Sequence, residues 1–150
     1  NSYGYSALYT KFYEILLKYA STNSNFKFIY LQNSVEIGAP LVRFNEMENL
    51  LTVNVPESIQ PGVLLKSIAG MRFAELNYDY EYLVRSNLSS CLNLIQLEST
   101  LKGLPVSKVY GGNIIKRDDI TFCSGPVTFS KDIVQYILSK VMDVCDYDDV

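Results

Sequence analysis

The 150 residues read as one α/β domain spanning 1–150, a mostly parallel sheet flanked by helices. Three observations predict this. Short apolar runs rich in aromatic and β-branched residues alternate with segments whose apolar residues recur at helical spacing. The length suits one domain, and no linker or internal repeat divides it. Hydrophobic residues make up 48% and charged residues 19%, which excludes a disordered or highly charged chain.

Each element follows from local pattern. From Ser6 to Ala20, the residues Leu8, Phe12, Ile15, Leu16 and Tyr19 make a helical stripe, closed by turn formers from Ser21 to Asn25. Phe26 to Leu31 is short, apolar and aromatic, a buried strand. Asn33 to Asn49 shows no clear period and reads as loop, with Gly38 and Pro40 as breakers. Leu50 to Val55 is a second strand, and Pro61 precedes a helix over Val63 to Leu76 that buries Leu64, Leu65, Ile68, Met71 and Phe73. Tyr80 to Arg85 is a third strand, running straight into the polar cluster Ser86 to Ser90. Leu92 to Leu101 is a helix. Lys108 to Tyr110 starts a strand that stops at Gly111-Gly112, and Asp118-Asp119 is a turn. Ile120 to Phe122 and Val127 to Phe129 are strands on either side of a tight loop, Ser124-Gly125-Pro126. Ser130 caps a final helix whose buried face is Ile133, Tyr136, Ile137 and Val141.

Composition removes several function classes. Thirteen basic residues against 16 acidic give a net charge of −3, which argues against binding nucleic acid through its phosphates. Histidine is absent, so a Ser-His-Asp triad, a His-ligated metal and an imidazole base are all excluded. Acid–base work falls to Asp, Glu, Tyr, Lys or Cys. Cys91, Cys123 and Cys145 are widely spaced. They read as reduced, buried thiols in a cytoplasmic setting, with one disulfide plus a free thiol as the other reading. No apolar run reaches the ~18 residues of a membrane-crossing helix.

Three segments carry possible chemistry. In an open α/β sheet, ligands bind at the carboxyl ends of strands, and Arg85-Ser86-Asn87-Leu88-Ser89-Ser90 lies at such an end. Arginine offers a fork of donors to phosphate oxygens, while amide and hydroxyl groups both donate and accept. The plainer reading of this segment is a cap for the next helix. The second segment is the acidic cluster Asp143, Asp146, Asp148 and Asp149, which could supply a general base or cation ligands, or could be a solvated acidic end. The third is Cys123-Ser124-Gly125-Pro126, where a glycine lets a ligand approach the backbone.

The order of these pieces is more specific than any one of them. From Phe26 to Val150 the chain resembles the β-1,3-galactosyltransferase and Fringe-like glycosyltransferases (glycosyltransferase family 31), and more closely their viral and bacterial relatives. The resemblance is carried by Phe28-Ile29-Tyr30-Leu31 and by the strand, loop and helix from Asn49 to Lys66. Tyr82-Leu83-Val84-Arg85 with Ser86 to Ser90 stands where the family has a strand and its D-x-D metal motif. Val109-Tyr110-Gly111-Gly112, the stretch Phe122 to Asp132, and Tyr147-Asp148-Asp149-Val150 complete the series.

The resemblance implies a GT-A fold, a Rossmann-like nucleotide-binding sheet with a sugar nucleotide at its strand ends. It implies inverting transfer from a nucleotide-sugar donor, a UDP-sugar by preference, to a hydroxyl of a glycan or glycoprotein acceptor. Asp149 then aligns with the catalytic base and Asp148 is its neighbour, with Arg85, Ser86, Asn87 and Ser89 against the donor phosphates and Ser124 and Gly125 in a substrate loop. Asn87 and Ser89 replace the D-x-D carboxylates. Neutral oxygens hold Mg²⁺ or Mn²⁺ less well than carboxylates do, which leaves three arrangements open: a weakly held divalent cation, neutralisation of the diphosphate by Arg85 or another cation, or a binder that has lost transfer. The family comparison also implies that the chain is the central portion of a larger domain, or a minimal form of one.

Overall fold

A computed structural model describes residues 7–20, 25–38, 40–56, 58, 61–88, 90, 92–117 and 120–141. They form, in chain order, α1 (Ala7–Ala20), β1 (Tyr30–Asn33), β2 (Val42–Asn45), β3 (Leu50–Val53), α2 (Gly62–Asn77), β4 (Tyr82–Arg85), α3 (Leu94–Lys102), β5 (Tyr110–Arg117), β6 (Ile120–Ser130) and α4 (Lys131–Val141).

The strands make two separate three-stranded sheets, ordered β1-β3-β2 and β4-β6-β5. Among the described residues only β1 and β3 run parallel; β2 with β3, β4 with β6 and β5 with β6 are antiparallel. This corrects the expected mostly parallel, GT-A-like sheet flanked by helices. The physical reason lies in two hairpins. The stretch read as loop between Asn33 and Asn49 contains β2, which folds back on β3 from Asn45↔Leu50 to Val42↔Val53. The Asn45 side chain shapes the turn, its Oδ1 accepting from the N–H of Met47 at 3.1 Å and its Nδ2 donating to Glu48 at 2.9 Å. Asn49 then adopts a left-handed φ of 49°, a conformation that asparagine tolerates better than most residues. In the second sheet, β5 and β6 pair from Tyr110↔Phe129 to Arg117↔Ile120. The two glycines that were expected to stop β5 lie inside it, and the expected tight loop at Ser124-Gly125-Pro126 lies inside β6, where the register shifts between Gly112 and Asn113.

Helix α2 joins the sheets. In the first, Leu31, Leu51, Val53 and Phe44 share one face by register. Leu51 and Val53 are 0% and 1% exposed. Gly70 lets α2 sit close to Leu31, and Phe73 stacks against Phe44 with centroids 4.5 Å apart. In the second sheet, Val127 and Phe129 pack with Met71 of α2 and Val134 of α4, and Leu83, Ile133, Ile137 and Leu138 close around them. Tyr136 and Leu64, both expected inside, are exposed, and the fully buried residue of α4 is Val134.

Ser130 does more than begin α4. Its hydroxyl accepts from the N–H of Val109 at 2.9 Å and donates to Asp132, tying the start of β5 to the helix. Among the described residues no helix is long and apolar enough to cross a membrane.

Candidate functional site: the carboxyl end of β4

Opposite residues of an antiparallel pair project to the same face. Arg85 pairs with Val127 and Leu83 with Phe129. Arg85 therefore occupies the next rung on the helix-covered face, where the alternation calls for another apolar side chain. It is partly buried, and its Nε donates to Ser67 Oγ on α2 at 3.1 Å. The Ser67 hydroxyl donates in turn to the Val63 carbonyl at 2.8 Å. Among the described residues Arg85 has no carboxylate partner within ion-pair distance, unlike Arg43, Lys102 and Lys131. Charges drawn toward a core are usually paired, and at this core-facing rung the Arg85 guanidinium is bonded to Ser67 with no carboxylate among the described residues.

The plainer reading of the following segment, as a helix cap, does not hold. The cap of α3 is Asn93, whose side chain accepts from the N–H of Gln96 at 3.1 Å. The N–H of Leu94 donates to the Tyr19 hydroxyl at 3.2 Å. Asn87 instead begins a turn closed by a bond from the N–H of Ser90 to the Asn87 carbonyl at 3.0 Å, with Ser86 just before it, and Asn87 is exposed. Beside this turn is the irregularity of the β5–β6 pair. Val127 is the last partner of β4, and Gly125, two residues before it, has a φ of +71° with open space where a Cβ would stand.

Several strands end together here. Tyr80, before β4, donates its hydroxyl to Glu75 near the carboxyl end of α2, whereas Arg85 reaches Ser67 near its amino end. Past the carboxyl ends of β1 and β3, Asn33 Nδ2 reaches the carbonyls of Val55 and Pro56, both at 3.4 Å, and Pro56 abuts Gly62 at the start of α2. The carboxyl ends of β1, β3 and β4 thus all point toward the amino end of α2, although the sheets are separate. Asn33 Oδ1 is buried there without a partner among the described residues.

Of the other expected site residues, Asp148, Asp149 and Ser89 lie outside the described residues, as do Cys91, Cys145 and the Asp118-Asp119 turn. Cys123 is a free thiol. A divalent cation prefers carboxylate oxygens. The groups described at this end are a guanidinium, hydroxyls and amides, a set that suits an anion better than a cation. Among the described residues no three His, Cys, Asp or Glu side chains converge.

A second feature had no sequence signal. The outer face of the first sheet carries Gln32, Arg43, Asn45 and Thr52, and with Ser34 and Glu36 these residues line a shallow concavity of about 630 Å³. Asn54 fixes its rim by clasping the Glu36 peptide at both N–H and carbonyl, each at 3.0 Å. No family model matches the chain, and no match was found among curated proteins or solved structures.

Proposed function

We propose that this chain binds a nucleotide-sugar, a UDP-sugar by preference, and transfers the sugar with inversion to a hydroxyl of a glycan or glycoprotein. The observation that carries this reading is the partly buried Arg85 at the carboxyl end of β4, without a carboxylate partner among the described residues and followed by polar groups that the next helix does not use for capping. The order of the motif-like segments along the chain supports it; a parallel sheet does not. In the reaction, Asp149 takes the proton of the acceptor hydroxyl, with Asp148 as its neighbour. The hydroxyl oxygen bonds to the anomeric carbon as the bond to the diphosphate oxygen breaks. The nucleoside diphosphate leaves with that electron pair, and Arg85 offsets its developing charge.

Calorimetry against a panel of nucleoside diphosphate-sugars tests the reading. Saturable binding of one donor is expected, and no binding at millimolar ligand overturns it. Asp149→Asn is expected to abolish transfer and leave donor affinity unchanged; loss of both would remove Asp149 from the role of base. A second reading, a glycan-binding domain without transfer, draws on the concavity of the first sheet, lined by polar and apolar side chains alike. It expects glycan binding that is lost in Arg43→Ala and no turnover of any donor, with or without added Mn²⁺.

A further inference from the structure

Resting on the reading above, we infer that Ser67 of α2 is a positioning residue that aims the Arg85 guanidinium at the diphosphate of the ligand. The geometry defines its role. A serine hydroxyl has one proton, and Ser67 gives it to the Val63 carbonyl at 2.8 Å. Toward Arg85 the oxygen can then only accept, and it accepts from Nε at 3.1 Å. Arginine carries five N–H donors in a rigid plane. With Nε–H held by Ser67, the donors on the two terminal nitrogens remain as a fork that matches two oxygens of a phosphate. The backbone of Arg85 is fixed by its pairing with Val127, so Ser67 sets the remaining freedom, the direction of the side chain. Asn87, which is exposed, and Gly125, with open space where a Cβ would stand, follow and flank the same strand end.

The pairing also explains a polar residue on a helix that packs on both sheets. Ser67 lies one turn before Met71, which is buried in the core beneath the second sheet. An alanine would suit that site if packing alone were the need.

The test is a double-mutant cycle read by calorimetry, with uridine diphosphate, inorganic pyrophosphate and uridine as probes, and with urea denaturation run on each variant. Ser67→Ala is expected to weaken uridine diphosphate and pyrophosphate about tenfold, the loss of one hydrogen bond to a charged group. Ser67→Thr restores binding, and uridine is unaffected. In an Arg85→Ala background, Ser67→Ala should have no further effect. A Ser67→Ala variant that loses stability but binds both diphosphates normally overturns the positioning role while leaving the nucleotide-sugar reading intact. If pyrophosphate binds through Arg85 and Ser67 but uridine diphosphate binds no better, the nucleotide-sugar reading falls and the positioning role stands. Failure of wild type to bind either diphosphate overturns both.

Discussion

Tyr13 and Tyr30 meet edge to face, with ring centroids 4.6 Å apart and planes at 85°, yet their hydroxyls fare differently. Tyr13 donates to the Glu48 carbonyl at 2.8 Å, while the Tyr30 hydroxyl is buried without a partner among the described residues. Tyr30→Phe removes that orphaned group and keeps the ring. It is expected to raise stability by about 1 kcal/mol, read from urea denaturation at neutral pH.

The same pair predicts the alkaline limit. Burial, and then the charge of Tyr13, pushes the Tyr30 hydroxyl from 10.0 up to about 12. A group whose folded pKa is raised contributes fully below its unfolded value, and that contribution disappears as pH rises through the folded value. Wild type should therefore lose stability between about pH 10 and 12, and Tyr30→Phe should lose less over that window. Denaturation midpoints across the range, with ultraviolet titration of tyrosinate, decide it.

Ser130 is fully buried and serves Val109 and Asp132 at once. Ser130→Ala leaves the Val109 N–H without its side-chain acceptor and is expected to cost about 2 kcal/mol in denaturant unfolding. The Ser130 hydroxyl, followed by the backbone N–H groups of Lys108, Ile133 and Asp132, holds the Asp132 carboxyl below its ordinary value. A lowered folded pKa contributes above the unfolded value and is lost as pH falls through the folded one. Stability should decline below about pH 4 in wild type, and the decline should be shallower in Asp132→Asn.

Two neighbouring glycines should behave oppositely. A Cβ at Gly112 would meet the Pro126 carbonyl at 2.9 Å and the Cys123 Cβ at 3.3 Å, while one at Gly111 would meet nothing within 4 Å. Gly112→Ala is expected to cost about 1–3 kcal/mol by overpacking, and Gly111→Ala to stay within about 0.5 kcal/mol of wild type. Thermal unfolding of both variants checks this.

Helices α1, α2 and α4 and strands β3 and β4 were legible because an apolar stripe or run is a local signal. Strand β2 was not. Its four residues, Val-Arg-Phe-Asn, alternate between the face against α2 and the outer face, and its turn is made by Asn45 and Asn49 without glycine or proline. Gly111-Gly112 and Gly125-Pro126 misled in the other direction, because a register shift absorbs breakers inside a long hairpin. Those two hairpins are why strands separated by helices did not become a parallel sheet. At the site, Arg85 was visible as a charged residue ending a strand. Ser67 was not, since its contact joins α2 to β4 across a stretch no local pattern spans.

The division of the strands by α2 also orders events in time. Pairing Tyr30 with Leu50 closes a short loop, whereas pairing Leu83 with Phe129 closes a much longer one, and longer closures slow folding. The first sheet with α2 can condense early, and the second sheet completes only when the distant β6 arrives. The bond between Arg85 and Ser67 spans a shorter stretch of chain than the pairing of Tyr30 with Leu50, so it belongs with the early contacts. A ligand held by Arg85 would therefore act on the rate of folding as well as on the rate of unfolding.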